Sequence, residues 1–216
     1  MRSPVHAAAA VATTAATITL AALLAAPSAS AAVIEGTPGD DHLRGTARAD
    51  LIDAKAGNDT VRALAGPDRV RGGPGRDFLS GGRGGDRLLA GAGNDTFVDG
   101  LGDDTVRGGA GNDVWNGGSG DDDHGGGAGR DSINAGNGDD LVNGGDDADF
   151  LFGSRGNDRI FGGTGPDRID LSIGDGAPPG AQPGADHVRC GPGVDRVTGA
   201  SNNDQIANDC EIVLQP

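Results

Sequence analysis

Residues 72–98 decide the fold, because they read GGPGRDFLS, GGRGGDRLL and AGAGNDTFV in three successive frames of nine. The same frame runs unbroken from Gly36 to Asp170, and its sixth position is Asp in all fifteen frames. The fourth position is Gly except at Arg48 and Asp147, and the eighth is apolar in every frame but one. A period of this length and regularity predicts a repeat architecture.

Each frame predicts a six-residue turn followed by a three-residue strand. Glycine permits the positive φ angles of tight turns, and strand alternation points the eighth residue inward and the seventh and ninth outward. One large apolar residue per frame cannot sustain a core alone, so the frames must stack. Odd and even frames divide the eighth residues into two sets. The first is Leu43, Val61, Leu79, Phe97, Trp115, Ile133, Leu151 and Ile169, and the second contains His124 between Val106 and Val142.

The composition excludes several classes of protein. With 42 glycines in 216 residues, helical bundles are excluded, and the absence of a Gly-X-Y triplet excludes collagen. A protein with a net charge of −15 repels the phosphate backbone of nucleic acids, so no nucleic-acid partner is expected. Only Glu35 and Glu211 of the 32 acidic residues are Glu. Near-exclusive Asp indicates a need for the short carboxylate, which tight turns and calcium sites share.

Residues 1–31 predict an amino-terminal signal peptide for secretion. One arginine precedes an apolar, Ala-rich stretch that ends in small residues, and cleavage is expected after Ala31 or, alternatively, Ala32. An uncleaved membrane anchor is the competing interpretation, but four threonines interrupt the stretch. The processed chain is therefore expected to be extracellular and to have no membrane span.

The two cysteines, Cys190 and Cys210, predict a disulfide, because an exported chain meets an oxidising environment. Two free thiols or a soft-metal pair are the alternatives. The wide spacing of the two cysteines and the lack of neighbouring histidine partners argue against a metal pair.

The frames resemble the hemolysin-type, or RTX, calcium-binding nonapeptide GGxGxDxUx, as in GGSGDD at residues 117–122. The resemblance implies an all-β fold, a right-handed parallel β-roll in which two frames make one coil. The two sets of eighth residues would then form two inward columns. The resemblance also implies multiple Ca²⁺ ions between turns two frames apart, held by Asp carboxylates and turn carbonyls. The implied metal ligands are Asp41, Asp59, Asp68, Asp77, Asp86, Asp95, Asp104, Asp113, Asp122, Asp131, Asp140, Asp149, Asp158 and Asp167.

The resemblance weakens in places. Thr46, Lys55 and Leu64 stand where frames two to four should have their second Gly, and Asp147 replaces a Gly in frame thirteen. Calcium occupancy is less expected there. RTX proteins typically leave the cell by a carboxy-terminal signal, whereas this chain has an amino-terminal one, so the export route does not carry over.

Three features of the sequence have both a functional and a structural interpretation. His124 could be a metal ligand or a base beside Asp121, Asp122 and Asp123, but an isolated core histidine that reaches a backbone carbonyl or solvent is the favoured interpretation. Trp115 is expected in the core rather than in a binding platform. Outward-facing Phe150, Phe152 and Phe161 could mark a partner surface, but a cover provided by the following segment is favoured.

The expected domain plan is a signal peptide at 1–31, a β-roll at 36–170, a loop at 171–180 and a cap at 181–216. The loop breaks the period with a run of Gly and Pro, and the register then resumes at Asp186 and Asp195. The disulfide would cross-link the cap, and the apolar residues 212–214 would cover the end of the hydrophobic core.

The favoured function is a secreted, non-enzymatic calcium-binding repeat protein that folds on meeting extracellular calcium. The expected role is structural or adhesive, with a cell-surface glycan or matrix as the possible partner, because the repeat array alone suffices for such a role. An accessory or catalytic polysaccharide-modifying RTX protein is the alternative, although no HExxH or GxSxG motif occurs. Ice binding is disfavoured, because the third frame position carries no Thr ladder.

Overall fold

The computed structural model describes residues 31–172 and 184–214, with the backbone alone for 212–214. The described chain contains twenty short β-strands and no helix. Odd-numbered strands form one ten-stranded parallel sheet and even-numbered strands form a second. We call them sheet A and sheet B. The stacked repeat predicted from the nine-residue period, and the all-β parallel solenoid that the family resemblance implies, are confirmed.

Each strand corresponds to the end of one frame and, in most cases, the first turn residues of the next. Sheet A contains β1 (Val33–Glu35), β3 (Leu51–Asp53), β5 (Arg69–Pro74), β7 (Arg87–Ala92), β9 (Thr105–Ala110), β11 (Asp123–Ala128), β13 (Leu141–Asp146), β15 (Arg159–Thr164), β17 (His187–Arg189) and β19 (Gln205–Ile206). Sheet B contains β2 (His42–Arg44), β4 (Thr60–Ala65), β6 (Phe78–Arg83), β8 (Thr96–Leu101), β10 (Val114–Asn116), β12 (Ser132–Asn137), β14 (Phe150–Arg155), β16 (Arg168–Asp170), β18 (Arg196–Thr198) and β20 (Ile212–Leu214).

Neighbouring strands pair two frames apart in sequence. Ile52 lies beside Val70 in sheet A, and Trp115 lies beside Ile133 in sheet B. One complete coil therefore consists of two frames, and equivalent frame positions stack directly on one another. The two inward columns read from the sequence are the two faces of one core.

The core lies between the sheets and consists of the eighth frame residues with small residues from the first position. Leu79, Leu88 and Phe97 have no exposed surface, and all belong to one hydrophobic cluster. Phe97 stacks on Trp115 with ring centroids 4.7 Å apart. Trp115 is therefore a core residue, as expected. Burial of each such side chain stabilises the stack by roughly 2–3 kcal/mol relative to exposure.

The carboxy-terminal segment continues both sheets. β17 pairs with β15 and β18 pairs with β16, so the solenoid resumes after the break in the period. Cys190 and Cys210 form a disulfide with Cα atoms 5.2 Å apart. β20 places residues 212–214 beside β18. Most of the expected signal peptide, and the expected loop beyond residue 172, lie outside the described residues.

The three outward phenylalanines do not form one surface. Phe150 and Phe152 contact each other on sheet B with ring centroids 4.4 Å apart, and Arg168 lies over the Phe150 ring. Phe161 belongs to sheet A, on the opposite side of the core. The shared aromatic patch considered from the sequence is therefore wrong. All three side chains are half-buried.

Four non-glycine residues adopt the positive φ that glycine adopts elsewhere in the turns. They are Lys55 (φ 80°), Leu64 (φ 92°), Asp147 (φ 76°) and Ser154 (φ 72°). The turn shape is therefore imposed by stacking on neighbouring coils, even where the local sequence opposes it. A side chain in this region costs about 1–2 kcal/mol.

Leu64→Gly is expected to stabilise the calcium-loaded protein by about 1 kcal/mol, because relief of backbone strain exceeds the lost packing of a half-buried side chain. Leu64 pairs with Gly82, which already has this conformation, with φ 114°. Urea unfolding would measure the change. Leu51→Gly is the control, since Leu51 is an exposed strand residue, and that variant should lose about 1 kcal/mol. A loss in both variants would contradict the strain argument.

Candidate metal centre

The sixth frame residues form two straight rows of carboxylates, one along each edge where turns stack. One row runs through Asp59, Asp77 and Asp95, and the other through Asp68, Asp86 and Asp104. Every sixth-position Asp of the fifteen frames is at most 6% exposed. The turn places it there because the residue immediately precedes the strand, and its side chain reaches the backbone of the preceding coil.

One carboxylate oxygen of each residue has a backbone partner. The amide of Asp77 donates to Oδ1 of Asp95 at 2.8 Å, and the amide of Asp95 donates to Oδ1 of Asp113 at 2.8 Å. The same bond joins successive members of both rows, from Asp41 onward. These bonds orient every carboxylate in the same way and join residues two frames apart, as the family resemblance implied.

The other carboxylate oxygen has no partner. Within the described residues, Oδ2 is buried without a hydrogen bond in thirteen of the fourteen Asp residues predicted as metal ligands, all except Asp41. A buried, unpartnered carboxylate oxygen is costly, and a cation is the usual way to satisfy it. The orphaned oxygen is the feature that tests whether these residues fit an ion.

Backbone carbonyls converge on the same gaps. An added Cβ at Gly72 would meet Oδ2 of Asp77 and the carbonyl oxygen of Ala90 in the next coil. Added Cβ atoms at Gly91 and Gly93 would meet the carbonyl oxygens of Gly73 and Gly75. The turn glycines therefore leave a cradle lined by carboxylate and carbonyl oxygens. A donor set made only of oxygens fits a hard cation such as Ca²⁺.

Burial makes these carboxylates hard to ionise without a cation. Removal from water, with repulsion from neighbouring Asp residues, raises the pKa of Asp104 and Asp149 to about 7 and that of Asp158 to about 8. The amide hydrogen bonds oppose the rise but are outweighed. A divalent ion between two such groups would replace the proton and remove the repulsion.

The metal-free chain is expected to lose β structure as pH rises. The folded pKa values of Asp68, Asp104 and Asp158, about 6, 7 and 8, exceed the unfolded value near 3.9. Stability from protonation is therefore complete below about pH 4 and disappears as pH rises through about 8. Circular dichroism in EDTA from pH 4 to 8.5 measures this.

The calcium-loaded chain is the control for this pH series, and its stability should show the opposite trend, because protons compete with the ion for Oδ2. A metal-free spectrum that does not change across the pH range would contradict the pKa assignment.

The amino-terminal end of each row is closed by a threonine. The amide and hydroxyl of Thr37 donate to Oδ2 of Asp41 at 2.5 and 3.1 Å, and Thr46 does the same for Asp50 at 2.6 and 3.0 Å. Asp41, predicted as a ligand, thus differs from the other predicted ligands, since its second oxygen already has donors. The period alone could not have revealed this difference.

The carboxy-terminal coils extend both rows beyond the predicted ligands. The amide of Asp158 donates to Asp186, that of Asp167 donates to Asp195, and that of Asp195 donates to Glu211. Asp195 also has a buried unpartnered Oδ2. The resumed register at Asp186 and Asp195 was the available signal, but neither residue was predicted as a ligand.

His124 has a partner that the sequence did not indicate. Its side chain is fully buried, and Nε2 lies 2.6 Å from Oδ2 of Asp99, which is also fully buried. Burial lowers the pKa of His124, but the hydrogen bond to Asp99 and the nearby carboxylates raise it above its usual value. The expectation that His124 reaches a backbone carbonyl or solvent is therefore wrong.

The family comparison agrees with this geometry. A family model described as the RTX calcium-binding nonapeptide repeat (4 copies) matches residues 35–70, 53–88, 62–97, 89–123, 126–151 and 143–176. These overlapping matches cover well over half of the chain. A comparison with curated proteins found no match.

Proposed function

Because the chain belongs to the RTX calcium-binding nonapeptide repeat family, we propose that it is a secreted, non-enzymatic protein whose roll folds when Ca²⁺ fills the gaps between stacked turns. The observation that carries the proposal is the repeated, buried Oδ2 without a partner. Asp77 and its equivalents would hold the ion together with turn carbonyls. The ion would supply the charge that makes successive buried carboxylates of each row tolerable.

Coupling of binding to folding follows from what remains without the ion. Glycine-rich turns lose much conformational entropy on ordering, and the aligned carboxylates repel one another. Each coil adds only a few apolar side chains to the core. The free energy of ion binding then becomes folding free energy, as in other metal-dependent small repeats.

Secretion is supported by the signal-like residues 1–31 and by the disulfide between Cys190 and Cys210. Disulfides persist in oxidising compartments, and extracellular calcium reaches the concentrations that such modules use. RTX repeat proteins are also typically extracellular. Among the described residues, no helix is long and apolar enough to cross a bilayer. Mass spectrometry of the secreted chain would check processing after Ala31.

Far-UV circular dichroism with and without Ca²⁺ tests the proposal. The processed chain should be largely unordered in EDTA at pH 8 and should gain β structure on addition of millimolar Ca²⁺. Mg²⁺ at the same concentration is the control, since its demand for octahedral, partly hydrated coordination suits these cradles poorly. A β spectrum that is already complete in EDTA at pH 8 would contradict calcium-dependent folding.

A structural or adhesive role toward an acidic glycan is a second candidate function, and one surface favours it. The outer face of sheet A carries exposed Arg69, Arg71 and Arg87 around a depression of about 500 Å³, and Glu35 and Asp53 line the same depression. Within the described part of the chain, none of the three has a carboxylate within ion-pair distance. Three arginines against two carboxylates leave the depression net basic on a protein of net charge −15, and this suits a sulfated or uronic polysaccharide.

Retention on immobilised heparin in calcium buffer tests this surface. Arg69→Ser with Arg87→Ser removes two side chains that pair across β5 and β7, and the variant should elute at clearly lower salt. The matched control is Arg44→Ser with Arg62→Ser, an equivalent cross-strand pair in sheet B. Equal retention of both variants would contradict a glycan face on sheet A.

A turnover screen on acidic polysaccharides with the same protein checks the non-enzymatic assignment, and any reproducible cleavage would overturn it.

A further inference from the structure

Two departures from the frame meet inside the roll. The first frame position is Gly or Ala in all fifteen frames except at Asp99, and the eighth is apolar except at His124. Asp99 lies on β8 in sheet B and His124 on β11 in sheet A, 25 residues apart, yet their side chains touch at 2.6 Å. Two independent departures that contact each other indicate a built site rather than two isolated defects.

A third ligand completes the cluster. One ligand atom from each of Asp99, Asp122 and His124 lies within 4.8 Å of the other two, and all three residues are buried. Oδ1 of Asp99, Oδ2 of Asp122 and Nδ1 of His124 have no hydrogen-bond partner. A simple Asp–His pair leaves these atoms unsatisfied, which is expensive inside an apolar core.

The chemistry of the cluster differs from that of the calcium turns. Ca²⁺ takes oxygen ligands, whereas an imidazole nitrogen with two carboxylates is a donor set for Zn²⁺ and similar first-row ions. Two carboxylates and a neutral imidazole also balance a divalent charge, so the occupied site would be neutral in the core. Ligand atoms at about 2.1 Å from one ion lie at most about 4.2 Å apart, so the three side chains need only small adjustments.

From this arrangement we propose that Asp99, Asp122 and His124 form an internal transition-metal site, selective for a Zn²⁺-like ion, in which Oδ2 of Asp122 serves this ion rather than a calcium gap. Asp122 is shared, because its Oδ1 also accepts the amide of Asp104 in the carboxylate row. The site is closed to solvent, so the ion enters as the roll forms. The internal ion joins sheet A to sheet B at the middle of the array.

The test is refolding of the metal-free chain with saturating Ca²⁺ and equimolar Zn²⁺, followed by gel filtration in calcium buffer and elemental analysis. We expect one Zn²⁺ per chain. The variant Asp99→Gly with His124→Val restores the frame rule and should fold with Ca²⁺ but retain no Zn²⁺. The control His187→Gln changes an exposed histidine on sheet A and should retain one Zn²⁺.

A second readout reports the coordination of the ion. With Co²⁺ in place of Zn²⁺, the native chain should show the intense visible d–d absorption of a low-coordinate, protein-bound ion, and the double variant should not. Absence of bound Zn²⁺ in the native chain, or equal Zn²⁺ in the double variant, would overturn the internal site. Either outcome leaves calcium-dependent folding intact, whereas failure of the native chain to fold with Ca²⁺ would instead contradict the proposed function.

Discussion

Asp104→Asn is expected to remove two Ca²⁺ ions per chain at concentrations that saturate the native protein. Asp104 lies between Asp86 and Asp122, accepting the amide of the first and donating its own amide to the second. Its unpartnered Oδ2 becomes an amide nitrogen in Asn, which repels a cation where a carboxylate attracts it. Both gaps that share this residue should therefore weaken at least tenfold.

Bound calcium after gel filtration, measured by atomic emission, provides the count for this variant. Asp41→Asn is the matched control, since Asp41 stands at the end of its row and its Oδ2 already accepts donors from Thr37. That variant should lose at most one ion. Equal losses from the two variants would contradict the arrangement in which each internal carboxylate serves two neighbouring gaps.

Gly109→Ala is expected to destabilise the calcium-loaded protein by about 3 kcal/mol. Gly109 has φ 115°, which costs an L-residue about 1–2 kcal/mol, and an added methyl group would press against the carbonyl of Gly91. Forced displacement of packed backbone typically costs a further 1–3 kcal/mol. The clash also lies in a turn gap, so calcium affinity should fall together with stability.

Urea unfolding at fixed Ca²⁺ measures this loss, and Gly39→Ala is the control. At Gly39 the nearest atom to an added methyl group is Oγ1 of Thr37, at 3.9 Å, and φ is not in the positive region. The control should change stability by less than about 0.5 kcal/mol. Comparable losses in both variants would show that the turn backbone adapts, contrary to the tight stacking described above.

The repeat predicted the fold because its physical requirements are local and periodic. An Asp before each strand, glycine in the turns and one inward apolar residue determine which atoms stack once two-frame coils form. Registers such as Leu79 beside Phe97 follow directly from counting frames. The disulfide between Cys190 and Cys210 was also predictable, since the two cysteines are the only ones in the chain.

The contacts that the sequence did not predict are those outside the two-frame relation. Asp99 meets His124 across the core, between the two sheets, where frame counting places no partner. Thr37 and Thr46 donate hydrogen bonds to the carboxylates of their own turns. The sequence shows that threonine replaces glycine at these positions, but not that its hydroxyl reaches the carboxylate. Prediction of such contacts requires the distance between sheet A and sheet B and the direction in which each side chain points.

The positive φ of Lys55 and Asp147 illustrates how stacking overrides local preference. Both were reasons to expect lower calcium occupancy, yet the backbone keeps the shape of its neighbours. The carbonyl cradle is therefore retained in these frames. Because the orphaned Oδ2 persists at Asp59 and Asp149 in the same frames, the structure supplies the same ligands there as in the glycine-rich frames.

Isothermal titration calorimetry of the metal-free, processed chain with Ca²⁺ at pH 8 tests the central claim most directly. Carboxylates two frames apart, stacked with Oδ2 unpartnered, predict uptake of several ions per chain, in a cooperative transition that coincides with the gain of β structure. Absence of calcium uptake by the intact chain would contradict the claim that ions hold the stacked turns together.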